Sequence, residues 1–552
     1  MLFNSPEFVI FVAVVYAIYC LSPFRLQNYL LLIASYIFYG WWDARFLFLV
    51  ALSTTVDFWV GLMLEHGQLS RRQRLLPALF LVSSAVVFLG VDPSATWNAI
   101  SAGAIPVRLF RAGPFGWELA ATVAFLAVLF FIYEFLAGSE SPRRRLWCLM
   151  VSLVTQLGLL GIFKYFNFFI DSMTSALTQM GVGVSSLHLD IVLPVGVSFY
   201  TFQSLSYTID IYRREFKPTD RFWDFALFVA YFPQLQAGPI ERARNVLPQL
   251  ANPRRLTWEQ SAHGLYLIVL GFFKKVAIAD GVSPTVDQVF GSAGHLSWLD
   301  VACGTVFFAI QIYCDFSGYT DIARGVSKLL GIDLMLNFNQ PYFATNPQEF
   351  WRRWHISLSS WLRDYLFKPL GGSQGSMALV CRNLMITMVL GGLWHGAAWN
   401  FVLWGFYQGA LLCVHRIWRG VTGAVQHGQP QPASGTWQDV AIHQLGRIVF
   451  LIAVCYGWLI FRAHSFPQIV HLTAILITDH GYRDFGMSAP KFSAVIGMFW
   501  LLAIELVQYS RFDLRINQRW LPPLMGIQLA ALITAIIIGM SNEPAQFIYF
   551  QF

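Results

Sequence analysis

Residues 350–399 read FWRRWHISLSSWLRDYLFKPLGGSQGSMALVCRNLMITMVLGGLWHGAAW. A histidine stands near each end: His355 in a basic aromatic run, and His395 in an apolar run broken by Gly391, Gly392 and Gly396. The 552-residue chain around them is 56% hydrophobic and 12% charged, with 16% Phe, Trp and Tyr and a mean hydropathy of +0.54. A soluble domain carries about 25% charged residues. This much apolar surface needs lipid as its solvent, so the chain reads as an all-α, polytopic integral membrane protein. At that depth a histidine needs a reason, because its two ring nitrogens must be satisfied without water.

The net charge of +7 fits Lys and Arg gathered in cytoplasmic loops, not a nucleic-acid surface. The seven cysteines form neither a CxxC pair nor a Cys/His metal spacing, so no metal site is expected. Walker, HExxH and GxSxG motifs are absent, which disfavours nucleotide-driven pumps and soluble-type serine hydrolases. Met1–Phe8 has no Lys or Arg, so the first apolar run is expected to be retained as a span.

Working outward, apolar runs alternate with basic loops. Spans are expected at Phe8–Leu21, Tyr29–Trp41, Phe46–Leu64, Leu75–Val91, Leu119–Leu136, Leu146–Ile170 and Ile191–Tyr212. Arg25, Arg71–Arg74, Arg143–Arg145 and Arg213–Arg221 then fall on one face, which puts the N-terminus outside. The loop Asp92–Pro114 falls on the other face. Phe222–Leu235 is short and reads as re-entrant or interfacial. Ala262–Ala279, Val301–Ala323, a glycine-split Asn383–Val414, Ile448–Phe461, Ala494–Val507 and Leu524–Met540 follow, for about twelve spans. The Gln/Gly/Pro loop Gly423–Gly435 is too small to divide the chain, so residues 1–552 are expected to form a single membrane-embedded domain with its catalytic core in 222–420.

On a helical wheel at about 100° per residue, Phe350, Trp354, Leu358, Trp361 and Tyr365 share one arc, opposite Arg353, Ser357, Ser360 and Asp364. That pattern predicts an amphipathic helix in the membrane interface, with His355 beside its apolar stripe. His355 is then either an anchor bonded to a headgroup or carbonyl, or a functional group. His395 is either satisfied by a neighbouring helix or a proton-transfer group, since imidazole is the side chain best suited to that work near neutral pH. Asp57, Glu505 and Lys164 read as structural polar contacts or end-of-span snorkels. Asp315 and Asp321, six residues apart, are not expected to share a helical face.

Several stretches resemble the membrane-bound O-acyltransferase (MBOAT) family, in particular its bacterial alginate O-acetylation branch. They are Leu193–Tyr200 (LPVGVSFY), Ala237–Ile240 (AGPI), Asp315–Asp321 (DFSGYTD), Phe350–Tyr365, Gly391–Ala397 (GGLWHGA) and Tyr549–Phe552 (YFQF). Residues 68–145 resemble nothing in that branch and read as an insertion with two extra spans. The resemblance implies a helical bundle around a transmembrane tunnel. It implies His395 as the catalytic histidine and His355 as the second family position. Trp394, Trp351, Arg352, Arg353, Arg363, Asp364 and Ser359 would bind the donor or line the tunnel.

The function implied is transfer of an acetyl group from cytoplasmic acetyl-CoA across a bacterial inner membrane, for O-acetylation of an exported polysaccharide. His395 would be general base or transient acyl carrier, and His355 would orient the thioester or stabilise the oxyanion. No permanently bound cofactor is implied. The partners implied are the lipid bilayer, periplasmic esterase-like acetyltransferases and a polysaccharide synthase with its export machinery, with no nucleic acid. D-alanyl transfer to a wall polymer and a proton-coupled transporter or flippase are the competing readings; the lack of a strong internal repeat weighs against the last.

Overall fold

A computed structural model of the chain describes residues 1–91, 115–138, 143–183, 187–236, 238–292, 296–422, 437–479, 489–509, 521–540 and 547–548. The loops expected at Asp92–Pro114 and Gly423–Gly435, and the terminal Tyr549–Phe552, lie outside them. Every regular element among the described residues is helical. Among the described residues, eight helices are long and apolar enough to cross a membrane, and three shorter apolar helices accompany them.

The first half runs α1 (Pro6–Leu21), α2 (Phe24–Gly40), α3 (Phe46–His66), α4 (Arg71–Ser84), α5 (Phe115–Ala137), α6 (Arg144–Leu160), α7 (Phe166–Gln179) and α8 (Val197–Tyr212). A π-turn at Gly161–Tyr165 joins α6 to α7, making one apolar rod of 36 residues. The helix α8 begins six residues later than hydropathy predicts, because Gly196 at φ 75° turns the chain with its Cα against the backbone of Leu235 and Gln236. At the far end of the expected seventh span, Arg213 caps α8.

The expected re-entrant piece is two short helices, α9 (Phe222–Ala230) and α10 (Phe232–Leu235), with most of their side chains fully enclosed. They are interior elements, not interfacial ones. After α11 (Ala243–Ala251) come α12 (Trp258–Phe272), a π-turn at Phe273–Ala279, α13 (Asp280–Gly291) and the long α14 (Trp298–Leu329). Gly264, Gly271, Gly318 and Gly325 let α12 and α14 touch backbone to backbone.

That contact brings two adjacent lysines onto α14. Lys274 Nζ lies 2.8 Å from Asp321, and Lys275 Nζ lies 2.8 Å from both Asp280 and Asp315. Asp315 and Asp321 do not share a helical face, as expected, but each has a lysine of its own. Glu505 is bonded to Tyr313. Buried acids thus find donors inside the bundle, the condition under which membrane-depth charges persist.

The interfacial helix expected over Phe350–Tyr365 does not form. The chain breaks at Trp354–His355 into α15 (Pro347–Arg353) and α16 (Ile356–Leu362), followed by a π-turn at Arg363–Phe367. His355 sits at φ 42°, and Trp354 and Trp361 are buried in the core. The segment is thus an inward-folded wedge. Periodicity alone could not see this, because the break comes from a tertiary partner of His355 described below.

The glycine-split run is a hairpin of α17 (Met377–His395) and α18 (Trp399–Thr422), which places His395 at its turn. The remainder is α19 (Trp437–Arg462), α20 (Phe466–Thr478), α21 (Phe492–Tyr509) and α22 (Leu521–Gly539). A Cβ on Gly392 would meet the Phe401 carbonyl and come within 3.0 Å of Gly405, and one on Gly405 would meet Met388. Gly405→Val is expected to destabilise the protein by about 2 kcal/mol or more through overpacking. A fall in thermal midpoint in detergent checks this, with Gly446→Ala, which has open space around it, as the unaffected control.

Candidate functional site

The turn of the α17–α18 hairpin packs against the α15–α16 break. The imidazoles of His355 and His395 lie with centroids 6.4 Å apart, and both are nearly inaccessible (0% and 4% exposed). His395 is flanked by Trp394 at 5.0 Å, Trp404 at 5.1 Å and Phe461 at 5.4 Å. His355 meets the edge of Phe316 at 4.7 Å and Trp394 at 6.0 Å. The two histidines, forty residues apart in the chain, lie side by side within a packed set of rings.

The break at His355 is held by Asn337. Its carboxamide oxygen accepts from the Ser357 backbone N–H at 3.2 Å and the Ser357 hydroxyl at 2.9 Å, and lies 3.1 Å from His355 Nδ1. A backbone N–H only donates, so the atom facing it is the oxygen, and the amide orientation follows. In the neutral ring Nδ1 then carries the hydrogen and Nε2 the lone pair. Nε2 is buried with no partner among the described residues. The Ile356 N–H donates to the Asn337 carbonyl at 2.9 Å, which further secures the left-handed backbone at His355. Such a conformation costs a non-glycine residue about 1–2 kcal/mol. This tautomer presents an acceptor at Nε2.

Buried hydrogen-bond donors stand around the two imidazoles. The indole N–H groups of Trp351, Trp394 and Trp404 are buried without partners among the described residues. Trp351 packs on Trp404 at 5.9 Å, and Trp458 on Trp404 at 6.0 Å. Unpaired buried donors are costly, and a polar guest would satisfy them.

A column of rings leads away from the histidines: Trp394 to Phe202 at 5.5 Å, Phe202 to Trp361 at 3.9 Å, and Trp361 to Tyr365 at 5.0 Å. Tyr365 borders a cavity of about 540 Å³ lined by Arg213, Arg242, Arg244, Arg363 and Lys368, with Asp210, Glu215 and Asp364. Five cations against three acids leave it basic. Burial pushes the Asp364 carboxyl up, but hydrogen bonds from Arg363 and Lys368 and the charge of Arg242 outweigh this and hold it at about 2. Asp364 thus stays ionised and binds Arg242 at 3.0 Å and Lys368 at 2.8 Å.

The structure separates the expected site residues. Trp394 packs against both histidines, Trp351 packs on Trp404 beside them, and Arg363 and Asp364 line the basic cavity. Arg352 is exposed away from both, and Arg353 is held by Glu349 at 2.9 Å. Ser359 donates to the Trp354 carbonyl at 3.0 Å and serves the break. Sequence reasoning missed Asn337, which sits in a loop without a motif, and Arg242, Arg244 and Lys368. For the cations the available signal was only the basic character of the loops on that face.

The described helices make a multi-pass membrane protein that encloses two imidazoles, with a basic cavity at the far end of a column of rings. The comparisons give the particular family. Residues 213–431 match the model of the membrane-bound O-acyltransferase family. The chain is 36% identical over 531 residues to "Probable alginate O-acetylase AlgI" of Azotobacter vinelandii, covering 95% of this chain and 87% of that one. It is 36% identical over 466 residues to the protein of the same name in Pseudomonas aeruginosa, with 84% and 72% covered. It is 37% identical over 314 residues to a peptidoglycan O-acetyltransferase of Helicobacter pylori, with 52% and 58% covered. The chain belongs to the membrane-bound O-acyltransferase family and is an O-acyltransferase.

Asn337→Leu keeps volume but leaves three donors without their acceptor, at about 1–3 kcal/mol for each buried group. A clear fall in thermal midpoint is expected. Asn337→Asp, which retains the acceptor oxygen, is expected to be milder.

Proposed function

We propose that the protein takes an acetyl group from acetyl-CoA on the cytoplasmic side of a bacterial inner membrane and delivers it for O-acetylation of an exported polysaccharide. One observation carries the reading: two enclosed histidines lie side by side and are joined by a run of rings to a basic cavity. The names of the alginate and peptidoglycan relatives support acetyl as the group and a polymer hydroxyl as its destination. Arg213, at the end of α8, belongs to the basic loops that the charge rule puts on the cytoplasmic face, so the cavity suits a phosphate-bearing donor.

In this reading His395 removes the proton of the accepting hydroxyl while its oxygen bonds to the thioester carbonyl carbon. The C–S bond then breaks, and the thiolate leaves with that proton. Base duty of this kind is worth roughly 10²–10⁴-fold in rate. In the alternative route His395 itself carries the acyl group briefly. His355 Nε2 is the neighbouring proton acceptor, and the unpaired indole N–H groups supply hydrogen bonds to the carbonyl oxygen as its charge grows. The stacked rings of Phe202 and Trp361 have to part for the thioester to pass from the cavity. On the outer side, periplasmic esterase-like acetyltransferases and the polysaccharide synthase and export apparatus are the partners this chemistry calls for.

Two measurements test the proposal. His395→Ala is expected to abolish polymer acetylation at unchanged membrane protein level, and full acetylation by that variant would end the catalytic assignment. Arg244→Ala and Lys368→Ala are each expected to raise the donor KM about tenfold, as the loss of one charge-assisted contact implies, with little change in kcat. D-alanyl transfer would show as a system that runs on a carrier-protein thioester and ignores acetyl-CoA.

A further inference from the structure

Lys164 and Tyr165 lie in the middle of the 36-residue apolar rod formed by α6, the π-turn and α7. Lys164 has no carboxylate partner among the described residues. A lysine at membrane depth without an acid is costly, and it persists where other polar groups receive it. Here they are backbone carbonyls. Lys164 Nζ donates to Trp394 O at 2.6 Å and to His395 O at 3.0 Å, and the Tyr165 hydroxyl donates to Leu393 O at 3.0 Å. These are the last three carbonyls of α17, the end of the helix that carries His395.

The last carbonyls of a helix have no intrahelical donor. At an ordinary terminus water or a glycine cap serves them, but α17 ends inside the bundle, where Gly396 continues in extended form at φ −158°. An amino group at this end also meets the negative pole of the helix dipole. Adjacent residues on a regular α-helix point about 100° apart. The π-turn at Gly161–Tyr165 alters that spacing where Lys164 and Tyr165 both reach α17, and such bulges recur at functional sites. The Lys164 amino group also lies 5.8 Å from the Trp394 ring.

We propose that Lys164, assisted by Tyr165, is a positioning residue: it clamps the end of α17 and so sets the His395 imidazole against His355. The inference rests on the reading of His395 as the acting group. A purely structural role and a positioning role differ in what their removal does. Lys164→Met leaves the Trp394 and His395 carbonyls without their donor, so the thermal midpoint falls in either case, and a positioning role adds a loss of kcat in the folded protein with donor KM unchanged.

The test uses full-length protein in membranes, assayed with acetyl-CoA and matched for protein level. Lys164→Met is expected to lower kcat at least tenfold with donor KM unchanged, and to lower the thermal midpoint. Lys164→Arg, which can donate to the same two carbonyls, is expected to recover most of the rate. Tyr165→Phe, which loses one bond, should lower kcat severalfold. A Lys164→Met protein with kcat within twofold of the parent, beside an inactive His395→Ala protein, overturns the clamp and leaves the catalytic reading standing. An active His395→Ala protein overturns that reading instead. If Lys164→Met does not fold, Tyr165→Phe and Lys164→Arg decide: unchanged kcat in the first, or full loss in a well-folded second, also overturns the clamp.

Discussion

The centre of this protein depends on how closely two helices meet. Gly392 of α17 and Gly405 of α18 allow backbone contact that any side chain would prevent. That contact closes the hairpin, and the closed hairpin brings its turn, with His395, against the α15–α16 break. Gly396 serves the same end, since a Cβ there would strike the ring of Phe401. The glycines beside His395 act less as hinges than as the absence of an obstacle.

Once the backbone is packed, the remaining problem is polar. Within an apolar solvent each donor or acceptor must find its partner in the protein. Asn337 solves this for the His355 break, Lys164 and Tyr165 for the end of α17, and the Lys274–Asp321 and Lys275–Asp315 pairs for the middle of α14. Buried polar atoms without a partner among the described residues occur in several parts of the core, and one group of them gathers at the imidazoles: His355 Nε2 and the indole N–H groups of Trp351, Trp394 and Trp404. That is where a substrate's own polar atoms would complete the set.

Much of the fold was legible because lipid imposes a simple rule on sequence. Helices stand at expected spans one to six, with at least one end within a few residues of the apolar run, although Phe24–Gly40 is not among the described helices long and apolar enough to cross a membrane. The misses share a cause. Phe350–Tyr365 has the periodicity of one amphipathic helix, yet Asn337, from a loop thirteen residues upstream of Phe350, breaks it by offering an acceptor at His355. Phe222–Leu235 has the composition of an interfacial segment, yet it is enclosed on all sides. Wheels and hydropathy windows report what a segment offers and say nothing of what its neighbours take. The basic cavity was half legible: Arg363 and Asp364 stood in a quoted motif, while Arg242, Arg244 and Lys368 had only their charge to mark them.

By itself the sequence determined the solvent, the helical class and the family, and it singled out two histidines, since hydropathy, motif and the cost of a polar ring in lipid are all local properties of the chain. Only the tertiary structure decided which histidine nitrogen bears the hydrogen, which arginines share a cavity and which lysine holds the end of α17. Those depend on hydrogen-bond partners from segments scattered along the chain. Distances of about 3 Å between such segments are set by packing, which no local pattern encodes.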